Sequence, residues 1–235
     1  MRTAVLFGGP QALDFLEVRS SIVRIPEVRI RLEEAQKIWD VNIEQVVDFH
    51  QFLCSDDKEF FSNSSLKSLC SAIVQVGLYE RLIRHFRNPE FLVGDSRNDS
   101  SLLVATGRMS LSDLVLSSRA AGVVKPITAP IHGLPTLPVL NGQTFAMFEI
   151  YARELNNGVD QFASTQMREM DLNKIVRHLY EDRGVRQLIT VGPGRTKLQL
   201  QHEGMLSEMQ NLESIDLDPM LSWFWRDVQE VSVSA

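Results

Sequence analysis

Phe91-Leu92-Val93-Gly94-Asp95-Ser96-Arg97-Asn98-Asp99 runs from an apolar segment, through a glycine two residues before a serine, into polar residues able to open a helix. Apolar run, tight turn and helix start, in that order, describe a strand–turn–helix nucleophile elbow. Such an elbow lifts a serine hydroxyl to the carboxyl edge of a sheet. The closing glycine of G-x-S-x-G is absent, because Asn98 stands in its place. Two readings of Ser96 follow. It is a nucleophile on a crowded turn, since asparagine tolerates unusual backbone angles better than most residues, or it is a hydroxyl that caps the next helix.

Working outward, Ala4-Val5-Leu6-Phe7 reads as a buried strand stopped by Gly8-Gly9-Pro10. Gln187-Leu188-Ile189-Thr190-Val191 reads as another, stopped by Gly192-Pro193-Gly194, and Thr136 to Asn141 as a short extended element. Between them lie helical patterns. The segment from Ile30 to Phe52 carries Ile38, Val41, Ile43, Val46 and Val47 as its apolar positions. Ser65 to Phe86 carries Leu66, Leu69, Ile73, Val76, Tyr79, Leu82 and Ile83 at helical spacing. Ser100 to Gly107 reads as helix, and Ser110 with Asp113 forms a capping box for the next one. Leu172 to Asp182 closes on Arg183-Gly184, a basic last turn and a C-terminal glycine. Strands alternating with helices predict an α/β fold with a mainly parallel sheet flanked by helices.

Composition narrows the function. A chain of 235 residues buries one large core, and a net charge of −6 argues against a nucleic-acid binder. Cys54 and Cys70 have neither disulfide-framework nor metal-ligand spacing and read as apolar thiols of a reducing compartment. No stretch approaches the ~20 apolar residues of a membrane span. The expectation is a cytoplasmic protein with no membrane partner and no cofactor or metal.

Three separated features coincide in order: Gly8-Gly9-Pro10-Gln11; the elbow followed by Ala105-Thr106-Gly107-Arg108-Met109-Ser110-Leu111-Ser112-Asp113-Leu114 and Arg119; and Leu188-Ile189-Thr190-Val191-Gly192-Pro193-Gly194. The set is similar to the malonyl-CoA:acyl-carrier-protein transacylase family, including polyketide-synthase acyltransferase domains. That family has a P-G-Q-G-S-Q loop, a G-H-S-x-G-E elbow, an A-G-containing helix reaching an arginine, and an E-V-G-P-G strand–turn. Ser71 to Tyr79 and Pro135 to Asn141 also resemble it. The resemblance spans Ala4 to Leu200, and implies an acyltransferase-like α/β core over 1–200 with 201–235 as an extension packing on the core or forming a partner site.

Residue by residue, the resemblance makes Ser96 the acyl-accepting nucleophile, and Gln11 with the main-chain N–H of Arg97 the oxyanion donors. Arg119 matches the arginine that pairs with a malonyl carboxylate, and also suits the C-terminal position of a helix. Gln166 matches the residue whose carbonyl orients the catalytic histidine. Pro130-Ile131-His132 matches the P-x-H segment that carries this histidine, so His132 is the general-base candidate. The implied partners are acyl-CoA or an acyl-carrier protein. Asp95, Asn98 and Asp99 depart from the family elbow, and only Ala120 to Ala129 separates Arg119 from the next alignable stretch. The ferredoxin-like small subdomain is therefore expected to be largely deleted.

These departures set a rival reading beside the enzyme: a catalytically degenerate pseudo-acyltransferase kept as a binding or docking module. Trp223-Phe224-Trp225 suits that reading as a partner site, because successive residues of one element cannot all face a core. Arg81, Arg84, His85 and Arg87 form a basic run that either meets an acidic carrier protein or is a solvated face. His50, His85, His178 and His202 read as solvated. An unrelated α/β hydrolase is a third reading, which leaves Gln11 without a role.

Overall fold

The computed structural model describes residues 2–7, 13, 16–85, 89–94, 100–118, 139–141, 172–191 and 209–213. Its frame is a five-stranded parallel sheet of order β3-β2-β1-β4-β5. The strands are β1 (Arg2–Phe7), β2 (Phe91–Gly94), β3 (Val139–Asn141), β4 (Val185–Val191) and β5 (Gln210–Glu213). The helices are α1 (Leu16–Ile22), α2 (Pro26–Asn42), α3 (Phe49–Leu53), α4 (Asp57–Ser62), α5 (Ser64–His85), α6 (Ser100–Ala105), α7 (Leu111–Ser117) and α8 (Leu172–Glu181).

Central strands of a parallel sheet are covered on both faces, so they read as unbroken apolar runs rather than alternating ones. β1 shows this. Val5 and Phe7 join the larger core, with Leu92, Ile189 and Val191 and the helical residues Val28, Trp39, Ile73 and Val115. Ala4 and Leu6 point the other way, into a smaller core with Val93, Leu188 and the α8 residues Ile175, Val176 and Leu179. In β4 the register slips by one residue, because Arg2 pairs with Val185 and Thr3 with Gln187. The slip puts Val185 and Leu188, three apart in sequence, on the same face of the sheet.

One expectation is corrected here. The pattern from Ile30 to Phe52 is two helices, and α2 buries Val28, Leu32, Ala35 and Trp39, while Ile38, Ile43 and Val47 of the expected set pack against the same core partly buried. Val41 and Val46 are 82% and 99% exposed. The reason is local hydrogen bonding. The buried Trp39 indole N–H donates to the Gln45 carbonyl at 2.7 Å, which requires the chain to turn back after Asn42. Asp48 then caps α3 by accepting from the Gln51 N–H at 2.8 Å. β5, a polar strand inside the segment 201–235, pairs in parallel with β4 and was not read from the sequence.

Other local readings hold. Ser110 and Asp113 make both halves of the capping box on α7. Gly184 has φ +66° where α8 hands over to β4, a left-handed angle that favours glycine. α2 and α5 cross on Gly77, where a Cβ would lie 2.6 Å from the Val28 Cα.

Candidate functional site

In a parallel sheet all strands point one way, and the loops leaving their carboxyl ends gather at one edge. Here that edge is level across four strands. Leu6 pairs with Val93 and with Thr190, Val93 with Leu140, Gly94 with Asn141 and Phe7 with Val191. Gln11 follows β1 in the sequence, and Ser96 and Arg97 follow β2. The helix expected after the elbow is present: α6 begins at Ser100, six residues past Gly94. Gln11, Ser96, Arg97, Arg119, His132 and Gln166, with Trp223, Phe224 and Trp225, lie outside the described residues. So does the Ala120–Ala129 stretch on which the loss of a small subdomain was read.

The described residues do locate the supports of that edge. The Ser101 hydroxyl, in the first turn of α6, donates to Gln75 Oε1 of α5 at 2.7 Å, both residues being buried. A hydrogen bond inside the core is costly to break, since the partner left behind has no water to turn to. This pair ties the helix that follows the elbow to α5, the longest of the described helices. Arg108 is also buried, and desolvation lowers its guanidinium to about 10. Thr190, near the end of β4, is 5% exposed, and its hydroxyl makes no hydrogen bond among the described residues. Sequence reading singled out none of these four, because a polar side chain in an amphipathic pattern carries no sign that it will be enclosed.

α7 ends at Ser117, with Ser118 as an extended C-cap.

Two histidines are excluded as partners of a serine at this edge. α5 and α8 each precede a strand, so their C-terminal turns lie at the amino edge, opposite Gly94. His85 is exposed there, 4.0 Å from Glu27. His178 Nδ1 lies 2.6 Å from Asp182 Oδ2, and Arg183 Nε donates to its Nε2 at 3.3 Å. The basic run has an internal counter-charge as well. Arg81 and Arg84 contact the buried carboxylate of Glu27 at 3.1 and 3.0 Å. Burial raises the Glu27 carboxyl; its own backbone N–H and the two guanidiniums outweigh this and hold it below the ordinary 4.5. An open groove of about 480 Å³ lies between α2 and α3, lined by Arg29, Leu32, Glu33, Gln36, Lys37, Asp48 and His50. It holds no hydroxyl or thiol, and it flanks the helices rather than the carboxyl edge. Among the described residues, no helix is long and apolar enough to cross a membrane.

No family model and no curated protein matches the chain. Solved structures do. The malonyl-CoA:ACP transacylase of Synechocystis sp. PCC 6803 superposes with a TM-score of 0.67 at 13% identity, over 91% of this chain and 97% of that one. The acyl-carrier-protein S-malonyltransferase of Burkholderia pseudomallei gives a TM-score of 0.64 at 14% identity, over 91% and 96%. A malonyl-transacylase in complex with a type II polyketide-synthase acyl-carrier protein gives 0.62 at 13%, over 91% and 96%. The chain has the fold of these transacylases, as its sequence motifs led one to expect.

Proposed function

We propose that the chain is an acyltransferase that handles acyl-thioesters, of acyl-CoA or of an acyl-carrier protein, in fatty-acid or polyketide synthesis. It works through an acyl-enzyme on Ser96. The observation that carries this reading is the adjacent, level ending of β1 and β2. The first is followed in sequence by Gln11, and the second by Ser96 and then by α6. A nucleophile and its oxyanion donors must converge within a few ångströms, and neighbouring strands of one sheet are the way this fold brings distant sequence together.

In this mechanism the Ser96 hydroxyl attacks the thioester carbonyl while His132 takes its proton. The Gln11 amide and the Arg97 N–H stabilise the tetrahedral oxyanion. Collapse breaks the C–S bond, and the thiolate leaves with the proton held by His132. A carrier-protein thiol then attacks the Ser96 ester, giving its proton to His132, which returns it to the serine oxygen. Water in place of the thiol gives hydrolysis. Arg119 pairs with the carboxylate of a dicarboxylic acyl group, and the Gln166 carbonyl orients His132. The short Ala120–Ala129 connection leaves little chain for a far pocket wall, which favours broad acyl specificity.

The test is acylation followed by intact mass. The chain is incubated with malonyl-CoA, acetyl-CoA and an acyl-carrier thioester. The expected result is an adduct of one acyl group that is absent from Ser96→Ala. No adduct from any of the three overturns the enzyme reading in favour of a docking module.

A further inference from the structure

Arg19 is buried completely, and each hydrogen bond that its guanidinium makes among the described residues ties one chain segment to another. Its Nε donates to the Leu53 carbonyl at 3.0 Å and its Nη1 to the Leu13 carbonyl at 3.1 Å. Its Nη2 donates to the Ser55 carbonyl at 2.9 Å and to Asp57 Oδ1 at 2.8 Å. The guanidinium carbon lies 4.1 Å from the Phe60 ring centroid. The fork thus fastens residue 13 to the junction between α3 and α4.

A buried charge is poor material for stability alone, because an apolar side chain of similar volume commonly does as well or better. What a guanidinium offers instead is geometry, a rigid set of donors that fixes several carbonyls at once. Leu13, the residue it holds, is itself fully buried and stands two residues after Gln11 in the sequence. We propose that Arg19 is a positioning residue for the oxyanion segment: by mooring the Leu13 carbonyl it sets where Gln11 meets the reacting carbonyl. This rests on the acyl-enzyme reading above. Arg19 touches no substrate, and its action runs through Gln11.

Two measurements test this, on Arg19→Lys and Arg19→Met. The lysine variant keeps the charge but not the fork, and it carries the test if the methionine variant does not fold. In hydrogen exchange, the proposal expects lost protection confined to α1 and residues 53–57, the described parts that Arg19 joins; loss spread evenly through the sheet overturns it. In single-turnover acylation, Arg19→Lys is expected to slow acyl transfer to Ser96 about ten- to hundred-fold, with KM for acyl-CoA little changed. In a Gln11→Ala background the same substitution is expected to cost less than about twofold, since both changes remove one function. Equal losses in both backgrounds, or a rise in KM alone, overturn the role of Arg19 while the acyl-enzyme stands. A wild-type chain that takes up no acyl group overturns the parent reading instead.

Discussion

Replacing Gly77 by alanine places a methyl carbon 2.6 Å from the Val28 Cα, and 2.9 Å from both Val28 N and Val28 Cγ2. Ordinary carbon contacts are about 3.5–4.0 Å, so α2 and α5 must part by about 1 Å to admit it. Two of the three crowded atoms are backbone, and no rotamer change relieves them. Parting these helices also stretches the Arg31–Glu80 pair, with contacts of 2.6 to 2.9 Å, and the Glu27–Arg81 contact at 3.1 Å. Against this, alanine is about 1 kcal/mol better than glycine inside a helix. Overpacking of this kind costs about 1–3 kcal/mol, and a backbone clash belongs at the upper end. The net expectation is a loss of about 2 kcal/mol, which lowers Tm by roughly 4–8 °C for a chain of this size. Urea and thermal unfolding measure it. Val28→Ala in the same background is expected to restore little, because of the three crowded atoms it removes only Cγ2. A Gly77→Ala protein as stable as wild type, or full rescue by Val28→Ala, would refute the close crossing of α2 and α5.

Other outcomes follow from the same coordinates. Glu27→Gln is expected to cost about 1–2 kcal/mol at neutral pH, since it removes charged hydrogen bonds to Arg81 and Arg84. The folded carboxyl is held below 4.5, so its contribution is present above that pH and lost as pH falls through the lowered value. The gap between wild type and variant should therefore close in acid, as seen in urea midpoints taken across pH; a gap that widens there contradicts the assignment. Cys70 is wholly buried, and desolvation raises its thiol far above the ordinary range, whereas Cys54 is half-buried. Thiol labelling of the native protein should modify Cys54 and spare Cys70 until urea is added. Gly107→Ala meets no atom within 4 Å, but its φ of +71° should cost about 1–2 kcal/mol through backbone strain alone.

Much of the fold was legible because parallel-sheet burial writes itself into sequence. Ala4–Phe7 and Phe91–Val93 are apolar without alternation, as is Leu188–Val191 but for Thr190, and each is followed by glycine-bearing residues. Ser110 with Asp113, and Gly184, act through bonds and angles spanning four residues or fewer, so they too could be read locally. β5 could not. Gln210-Asn211-Leu212-Glu213 has no strand signal of its own and is a strand because β4 offers it a free edge. The end of α2 was missed for a similar reason, since the acceptor for the Trp39 indole is chosen by the turn after Asn42.

The elbow shows the division most plainly. By itself the sequence determined that an apolar strand runs into Gly94-Asp95-Ser96, that Asn98 replaces a glycine, and that Gln11 follows another strand far away in the chain. Only the tertiary structure decided that these two strands are neighbours with level ends, and that Gln75 is paired with Ser101 behind them. It alone showed that Arg19 lies buried among the carbonyls of Leu13, Leu53 and Ser55. Strand order, burial and pairing between residues far apart in the chain come from the packing of whole layers, to which no short window of residues has access.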